Sequence, residues 1–470
     1  MLPYLSGFVV FVSILTLLVT NHTSLLDKES LQTTVVLLNW SRFPNVLKIT
    51  SNICENLLDD VVHNIIVWNN NPTPISFSDF TNTTCPESRL NIVNSPSNIY
   101  FEARYIACAR AVTTYCFIQD DDYLVQHNII RALAARMVNG NMPSIHLQPP
   151  DEMLTSEMRE LVKAPNLHTT FAWLGYGTMI TRTQAAEFLS LLEKLQLSKE
   201  EHEMADNYFT ILSNRMPERW FDPGIPLGGG VAFTVGTEGE KRNNRHILRA
   251  AELLDQIVRD NDTNLPYVQL ESLPTNADVR VLTVPCQRDL CILQSSIELL
   301  PDLLDNPITA ATDILDIEKR RLLELGEMRK RQYLDFPPSN AVDGRYETVF
   351  RSPADAKRGD WIMLDLVRMG PSDNLVLEMV VGGEMAIILQ NVALEVSQNG
   401  NKWDSWNSDF SCADFADVGE VYEHYNRYRW RVCRTAALSK PARFIRLTLQ
   451  ESTQSPWVVS EIRISSVDIL

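Results

Sequence analysis

The chain has 470 residues, of which 45% are hydrophobic and 21% charged, and its formal net charge is −17. This is the composition of a globular protein, and the length allows roughly two or three domains of about 150 residues each. Because no region concentrates Lys and Arg into a basic face, the sequence predicts no nucleic-acid partner.

An apolar run, Leu5–Val19, lies near the N-terminus. It is short for a membrane-spanning helix of about 20 residues, but long enough for the core of a signal peptide. No Lys or Arg precedes the run, so the positive-inside rule gives no orientation. We interpret the run as a signal anchor or, as a second choice, a cleaved signal peptide. The third alternative, a buried core helix, is disfavoured because the run has no polar face.

Two further features indicate entry into the secretory pathway. Four N-glycosylation triplets begin at Asn21, Asn39, Asn82 and Asn261. The eight cysteines are even in number and compatible with disulfides. The pairs that the sequence suggests are Cys286–Cys291 and Cys412–Cys433.

From residue 33 to about 214, segments typical of strands alternate with segments typical of helices. The predicted strands are Thr33–Leu38, Asn64–Trp68, Ile92–Val93, Tyr115–Gln119 and one near Ile145. The predicted helices are Asn45–Leu58, Ile99–Val112, Ile129–Val138, Gln184–Leu195 and Glu203–Asn214. This alternation predicts an α/β fold with a mainly parallel sheet covered on both faces.

One predicted strand, Tyr115–Gln119, ends in three adjacent carboxylates, Asp120 to Asp122. Their mutual repulsion falls when a divalent cation lies among them, and Mg²⁺ and Mn²⁺ prefer carboxylate and phosphate oxygens. Ligands of open α/β sheets also bind at the carboxyl ends of strands. The triplet therefore predicts a metal–diphosphate site, whereas the alternative is a solvated loop or a helix N-terminus.

The pattern changes twice in the second half of the chain. The pattern from Ala250 to Tyr333 predicts mostly helix with one apolar strand, Val279–Val284. This segment gives the least information about function. After Asp335, short alternating runs are separated by polar turns. Closely spaced strands of this kind predict an antiparallel sandwich or barrel, and we place a domain boundary near residue 330.

Two motifs of the first half resemble the C-terminal transferase domain of the exostosin family. They are Val67–Asn70 and Ile118–Asp122, and the similarity covers roughly residues 33 to 235. The resemblance implies a glycosyltransferase of the GT-A fold in the Golgi or endoplasmic reticulum. It further implies a nucleotide-sugar site made of Asn69, Asn70, Arg104, Asp120 and Asp121, and an Mn²⁺ or Mg²⁺ ion held on the UDP diphosphate by Asp120, Asp121 and Asp122.

Two further segments resemble the acceptor side of GT-A sites in residue type, without a shared motif. Gly175–Gly177 resembles the glycine-containing turn that lines the acceptor side of GT-A sites. Either Asp206 or Glu203 resembles the acidic residue that faces the acceptor hydroxyl, although a helix N-terminus explains both residues equally well. His246 is a candidate late metal ligand or a structural histidine.

The C-terminal region resembles a discoidin, or coagulation-factor type C, domain. The matching segments are Asn340–Gly344, Gly359–Leu366, Val396–Trp403 and Ala442–Leu447. Such domains are eight-stranded jelly-roll sandwiches that bind glycans, proteins or lipid head groups. The matching residues specify the fold and do not name a ligand.

The expected organisation has four parts: a signal anchor and stalk (residues 1–32), a GT-A-like domain (33–250), a mostly helical connecting region (251–333) and a discoidin-like β-sandwich (334–470). We expect a single-pass type II protein of the Golgi or endoplasmic reticulum membrane with a lumenal catalytic domain, or else a secreted protein. In the first case the N-terminal segment makes the membrane a partner.

The function expected from these features is metal-dependent transfer of a sugar from a UDP-sugar donor to a glycan or glycoprotein acceptor. A close exostosin likeness would make the transfer retaining and the sugar an N-acetylhexosamine. The alternative from another class is an inactive transferase fold that acts as a secretory or cell-surface glycan-binding protein. A weaker third possibility is a metal-dependent hydrolase.

Overall fold

The computed structural model describes residues 32–140, 142–229, 236–271, 281–301, 308–368, 375–415, 430–438 and 440–466. The first part of this chain is an α/β unit. Its strands are β1 (Thr33–Asn39), β2 (Val62–Asn69), β3 (Leu90–Asn94), β4 (Tyr115–Gln119), β5 (Tyr123–Leu124), β6 (Ser144–Gln148), β7 (Leu161–Lys163), β8 (Leu167–Thr169), β9 (Thr178–Thr181), β10 (Glu218–Phe221) and β11 (Ile225–Pro226).

Seven of these strands form one sheet in the order β10-β6-β9-β4-β1-β2-β3. All neighbouring pairs are parallel except those of β9, which runs antiparallel to both β4 and β6. The central strands are buried along nearly their whole length, as expected for a sheet covered on both faces. The two short pairs β5–β11 and β7–β8 lie outside this sheet.

Most of the helices bury an apolar side, whereas the short α6 (Lys199–Glu203) has no buried residue. The helices are α1 (Phe43–Asn56), α2 (Glu102–Ala109), α3 (His127–Asn139), α4 (Pro150–Met158), α5 (Arg182–Lys194), α6 (Lys199–Glu203), α7 (Asp206–Ser213), α8 (Thr237–Asp260), α9 (Ile314–Asp335) and α10 (Gly383–Ile388). Local signals fix several starts: Pro44 opens α1, and α5 begins at a capping box between Thr181 and Gln184.

The chain order creates a switch point between β1 and β4. From β1 the chain adds β2 and β3 on one side, then returns with β4 to the other side of β1. The parallel register pairs Leu37 with Gln119, so these two strands end side by side. Ligands of open α/β sheets bind in the crevice outside such a switch point.

The second part is an antiparallel sandwich. Its strands are β12 (Leu282–Pro285), β13 (Ile292–Ser295), β14 (Phe350–Asp355), β15 (Trp361–Asp365), β16 (Leu375–Gly382), β17 (Val392–Ser397), β18 (Asp404–Ser405), β19 (Ser411–Asp414), β20 (Trp430–Arg434), β21 (Phe444–Leu449) and β22 (Pro456–Ser466). One sheet has the order β12-β13-β15-β21-β17-β18 and the other β14-β22-β16-β20-β19. The predicted fold class, a mainly parallel α/β sheet followed by an all-β sandwich, is confirmed.

The strands β12 and β13 precede the predicted boundary near residue 330. The hairpin that they form pairs with β15 through Leu293 and Leu364, so the first sheet of the sandwich begins at Leu282. The predicted strand Val279–Val284 is present as β12 from Leu282 onward, and residues 272–280 lie outside the described part. The four-part division of the chain stays a prediction.

The two parts share one apolar core. Met153, Leu154 and Met158 of α4 belong to the same cluster of buried side chains as Leu377 and Trp457 of the sandwich. Next to this cluster, the Gln287 amide donates a buried 2.8 Å hydrogen bond to Asp222. Burial of this apolar surface stabilises both parts, and the side of α4 that faces away from the cavity packs against the sandwich.

All eight cysteines are paired. The bonds join Cys54 to Cys85, Cys108 to Cys116, Cys286 to Cys291 and Cys412 to Cys433. Both pairings that the sequence suggested are present. The Cys108–Cys116 bond ties α2 to β4, the helix and strand that deliver Arg104 and the Asp triplet.

The single-pass membrane prediction is corrected by the structure. Among the described residues, no helix has both the length and the apolar character needed to cross a bilayer. The two longest helices, α8 and α9, carry charged residues along their whole length. The apolar run Leu5–Val19, to which the anchor was assigned, lies outside the described residues.

Because the two parts share this core, we expect truncation of a buried side chain of α4 to destabilise both parts. Leu154 is 2% exposed, and truncating a buried leucine to alanine costs roughly 2–5 kcal/mol. We expect Leu154→Ala to lower the free energy of unfolding by that amount in one cooperative urea transition followed by far-UV circular dichroism. Leu323→Ala, at a 73% exposed position of α9, is the matched control and should change little. Two separate transitions, of which only one moves, would contradict the shared core.

Candidate functional site

A cavity of about 700 Å³ opens at the carboxyl ends of β1 and β4. Glu240, Asn243, Asn244 and Ile247 of α8 line part of it. The other charged and polar side chains fall into two groups. Those from the sheet edge, α2 and α7 include Asn39, Trp40, Arg42, Asn70, Arg104, Asp120, Asp121, Asp122 and Asp206. Those from α4, the segment before β9, and α9 are Glu152, Thr155, Arg159, Trp173, Tyr176 and Glu318, which we call the α4–α9 wall.

Arg104 is the centre of the first group. Its side chain is fully buried, and its guanidinium donates to Asp120 at 2.5 Å and to Asp206 at 2.7 Å. Tyr105 donates a second hydrogen bond to Asp206, at 2.9 Å. Burial by itself would lower the pKa of Arg104, but the charges of Asp120 and Asp206 outweigh burial and raise this pKa. The guanidinium is therefore a permanent cation that joins the metal-motif strand to α7.

The carboxylate of Asp121 is held by Arg42, which follows β1. The guanidinium of Arg42 donates to Asp121 at 2.7 Å and lies 3.6 Å from Asp122. The amide of Asn45 donates to the backbone oxygens of Asp121 and Gly228, each at 2.8 Å. These contacts fix the turn after β4 against the start of α1.

Asp122 has the weakest pairing of the triplet. Burial, followed by the charge of Asp120, raises its pKa to about 6, while Arg42 acts in the opposite direction. Its ionised form is thus disfavoured until a further cation approaches. Its side chain is 24% exposed at the cavity, so such a cation has access.

The residues present are compatible with a divalent cation that is held jointly with a diphosphate. Within the described part of the chain, no group of three or more His, Cys, Asp or Glu side chains forms a ready-made metal cage. Mg²⁺ bound with substrate phosphates does not need one, because it uses one or two carboxylates, phosphate oxygens and water. Asp122 is the residue best placed to be that carboxylate.

Gly175 allows Asp120 to reach its position. The backbone N–H of Asp120 donates to the Gly175 oxygen at 2.9 Å. A Cβ atom at residue 175 would lie 2.2 Å from Oδ2 of Asp120, which is far inside van der Waals contact. The predicted glycine turn is therefore a close packing partner of the Asp triplet, and its neighbour Tyr176 lines the cavity.

The two predicted asparagines have different surroundings. Asn69 is fully buried, and its side chain bonds Asn39, Asn94 and the Thr73 oxygen, so it organises the strand ends without lining the cavity. Asn70 does line the cavity. Its amide donates to the Tyr100 oxygen, which positions the loop before α2.

The two acidic candidates for the acceptor side are also separated. The predicted helix Glu203–Asn214 is divided, because α6 ends at Glu203 and α7 begins at Asp206. Asp206 lines the cavity, and burial raises its pKa to about 6 although Arg104 lowers it. Glu203 instead lies 3.6 Å from Lys199, and it is not among the residues that line the cavity.

His246 is placed away from the Asp triplet. Its ring forms a 2.8 Å hydrogen bond with the Tyr208 hydroxyl and lies 3.5 Å from Glu200. Burial lowers the pKa of His246, with Glu200 acting in the opposite direction. The structural interpretation of this histidine fits these contacts.

The α4–α9 wall contains a second set of charges. Arg159 and Glu318 form a 2.7 Å ion pair, and the Arg159 guanidinium lies 5.4 Å from the Phe171 ring centre. Burial raises the pKa of Glu152 to about 7, and the charges of Asp151 and Glu318 add to this effect, while Arg159 and a hydrogen bond from Trp173 oppose it. Glu152 is thus half protonated near neutral pH.

Several cavity residues were missed by sequence reasoning. Arg42 directly follows β1, so the rule that ligand-binding residues follow parallel strands could have found it. Glu152 stands in the first turn of α4, where an acidic residue is explained by the helix dipole alone. Glu318 has no local signal, because it reaches the cavity only through the packing of α9.

Comparisons with known proteins give structural likenesses only. Neither a scan against protein-family models nor a search of curated proteins found a match. Half of the chain is similar to the mannosyltransferase PcManGT from Pyrobaculum calidifontis in complex with GDP-Man and Mn²⁺, with 15% identity, a TM-score of 0.33 and 66% of that chain covered. It is also similar over half its length to S. aureus TarS 1–349, with 12% identity, a TM-score of 0.29 and 74% of that chain covered.

Another 27% of the chain is similar to CpGH89CBM32-5 from Clostridium perfringens in complex with GalNAc-β-1,3-galactose, with 16% identity, a TM-score of 0.19 and 82% of that chain covered. At these scores the likenesses carry no functional conclusion. The architecture rests on the strand order and register, and the chemistry on the cavity residues. Membership of the exostosin family is not shown.

The burial of Glu152 predicts a pH-dependent stability effect. Because its pKa is about 7 in the folded protein and near 4.5 ordinarily, the folded state holds this proton more tightly than the unfolded state does between these values. The contribution of Glu152 to stability is therefore full at low pH and is lost as the pH rises towards 7. Glu152→Gln, which mimics the protonated carboxyl, should be more stable than wild type by roughly 1–3 kcal/mol at pH 8 and nearly equal at pH 4.5.

The measurement is urea unfolding at pH 4.5, 6 and 8. Glu238→Gln, at a side chain that is 87% exposed on α8, is the control and should follow the wild type at each pH. A Glu152→Gln variant whose stability difference from wild type does not grow with pH would show that this carboxyl is not buried as described.

Proposed function

We propose that the protein is a metal-dependent glycosyltransferase that moves a sugar from a nucleoside-diphosphate donor to a glycan or glycoprotein hydroxyl. A UDP-sugar is the donor, and the exostosin-like motifs favour an N-acetylhexosamine and a retaining transfer. The observation that carries the proposal is the convergence of Asp120, Asp122 and the buried Arg104 on one cavity at the β1–β4 switch point.

The donor half of the cavity has groups suited to each part of a nucleotide sugar. Trp40 is 49% exposed at the cavity, so its ring is available to stack on a nucleobase. Asn70 and the turn after β1 offer polar groups to the base and ribose. Arg42 and Arg104 place two cations around the Asp triplet, near the expected diphosphate.

The leaving diphosphate gains negative charge as the glycosidic bond breaks. A divalent cation on Asp122 would supply Lewis-acid stabilisation of that charge when it is bound. The chain's own contribution is positioning: Arg104 fixes Asp120, Gly175 lets Asp120 approach, and Asn45 fixes the backbone of Asp121. Such contacts between protein groups hold the carboxylates in fixed positions, which favours electrostatic stabilisation.

Asp206 has a positioning role in this proposal. Both of its carboxylate oxygens are engaged, one by Arg104 and the other by Tyr105. It holds the buried Arg104 in place, because the Nη1 group of Arg104 donates to Asp206 where water has been removed. A direct catalytic role for Asp206 or Glu203 stays a prediction.

The sandwich is proposed to support binding. Its discoidin-like sequence segments favour a glycan or surface ligand, and its core packs behind α4. The alternative function, an inactive transferase fold that binds glycans, would retain this role without turnover. Hydrolysis of a UDP-sugar that depends on Mn²⁺ distinguishes the two, since only the enzyme would show it.

The metal assignment is tested by Asp122→Asn. We expect UDP affinity measured by isothermal titration in the presence of Mn²⁺ to fall at least tenfold, because a neutral amide is a poor ligand for a hard cation. Folding stability should hold or rise, since burial and the charge of Asp120 disfavour the ionised carboxylate of Asp122. Asp59→Asn, at an exposed aspartate before β2, is the control. Equal UDP affinity in the wild type and Asp122→Asn would refute the assignment.

The close approach of Gly175 to Asp120 is tested by Gly175→Ala. The new Cβ must displace the Asp120 carboxylate, so Mn²⁺-dependent UDP affinity should fall roughly tenfold while the circular dichroism spectrum stays that of the wild type. If the effect acts through Asp120, adding Gly175→Ala to Asp120→Asn should cost little more than Asp120→Asn alone. Additive losses in this double-mutant cycle would show that Gly175 acts by another route.

A further inference from the structure

The α4–α9 wall lies beside the donor half of the cavity and has no part in binding the donor as proposed above. The ring of Tyr176 on the wall is centred 4.8 Å from that of Tyr123, the residue that follows Asp122. A group that rests on the wall is therefore next to whatever the Asp triplet holds. This is the place where a second substrate would meet the donor sugar.

Glu152 offers hydrogen-bond acceptors on this wall. Trp173 donates a hydrogen bond to it, and the charge of Arg159, which is itself paired with Glu318, acts on it favourably. An ionised carboxylate has about four acceptor positions, so several stay available to hydroxyl donors. A protonated Glu152 would still keep acceptor capacity and gain one O–H donor.

The remaining wall residues fit a sugar ring. Trp173 and Tyr176 supply aromatic surface beside polar groups, which suits a ligand with apolar C–H faces and peripheral hydroxyls. Arg159 is already paired with Glu318 at 2.7 Å, so the wall offers an anionic ligand no unpaired guanidinium, and the ionised fraction of Glu152 disfavours such a ligand.

The wall is built by both parts of the molecule. Glu318 comes from α9, which leads into the sandwich, and it holds Arg159 at the end of α4. Arg321, one turn further along α9, donates to the backbone oxygens of Met158 and Glu160 at 3.0 and 2.8 Å. The helix α9 thus fixes α4 and the side chains that α4 presents to the cavity.

We propose that the α4–α9 wall is the acceptor subsite and that it takes a neutral sugar ring, with Glu152 binding one of its hydroxyl groups. The inference rests on the proposed transferase function and adds to it a class of acceptor and the residues that recognise it. An acceptor ring that carries a carboxylate or sulfate is disfavoured at this subsite, because the one guanidinium of the wall is already paired with Glu318. Glu318 is a positioning residue, since it acts through Arg159.

The test uses the full chain with UDP and Mn²⁺ present and follows ligand binding by saturation-transfer NMR. The probes are the methyl β-glycosides of glucose, galactose, xylose and N-acetylglucosamine, with methyl β-glucuronide as the anionic counterpart. We expect at least one neutral glycoside to bind and the glucuronide to bind at least tenfold more weakly than its closest neutral analogue, the glucoside. If no neutral glycoside binds, or if the glucuronide binds as well as the glucoside, the proposal is wrong.

Three variants locate the binding. Glu152→Ala should weaken the neutral glycoside at least tenfold, and Glu152→Gln, which keeps the side-chain shape and is expected to fold stably, should weaken it severalfold. Glu327→Gln, at an exposed glutamate on the same helix as Glu318, is the matched control and should bind as the wild type does. Glycoside binding that survives in both Glu152 variants would place it elsewhere, for instance on the sandwich, and would overturn the proposal.

UDP binding is measured on the same samples and reports on the donor half alone. Failure of the wild type to bind UDP would refute the proposed function, whereas loss of glycoside binding with intact UDP binding in the Glu152 variants supports the acceptor subsite. The two hypotheses therefore fail in different measurements.

Discussion

The buried charge of Arg104 constrains how β4, α2 and α7 pack together. Arg104 has no solvent contact, and a buried guanidinium is tolerated only when carboxylates and hydrogen bonds replace its water. Asp120 arrives from the end of β4 and Asp206 from the start of α7, so satisfying Arg104 requires these two elements to meet at α2. The same requirement brings Asp120 and Asp206 to one cavity, where Asp121 and Asp122 also lie. The result is an acidic cavity beside a buried guanidinium.

The cavity also depends on the second part of the chain. The α4–α9 wall of the cavity depends on α4, whose apolar side lies in the core of the sandwich, and α9 contacts the C-terminal end of α4 through Glu318. The packing of the sandwich therefore helps to determine where Glu152 and Arg159 lie. The stability of the sandwich and the geometry of the cavity depend on the same contacts.

Much of the fold was predictable because its signals are local. The β4 strand has the bounds that its hydrophobic run predicted, Tyr115–Gln119. The β12–β13 hairpin was assigned to a connecting region because a strand pattern does not reveal which distant strand it pairs with. The anchor prediction concerned residues outside the described part, and the described helices are too polar to span a bilayer.

The sequence by itself determined that an acidic triplet ends a buried strand, and that a sandwich follows an α/β unit. These features depend on residue type and period along the chain. Only the tertiary structure decided which polar residues meet: Asn70 but not Asn69 reaches the cavity, and Asp206 does so while Glu203 turns towards Lys199. The physical reason is that side-chain direction follows from helix breaks and packing between elements distant in sequence. Glu318 and Arg159 form a hydrogen bond although they are 159 residues apart in the sequence, and no local pattern encodes such a contact.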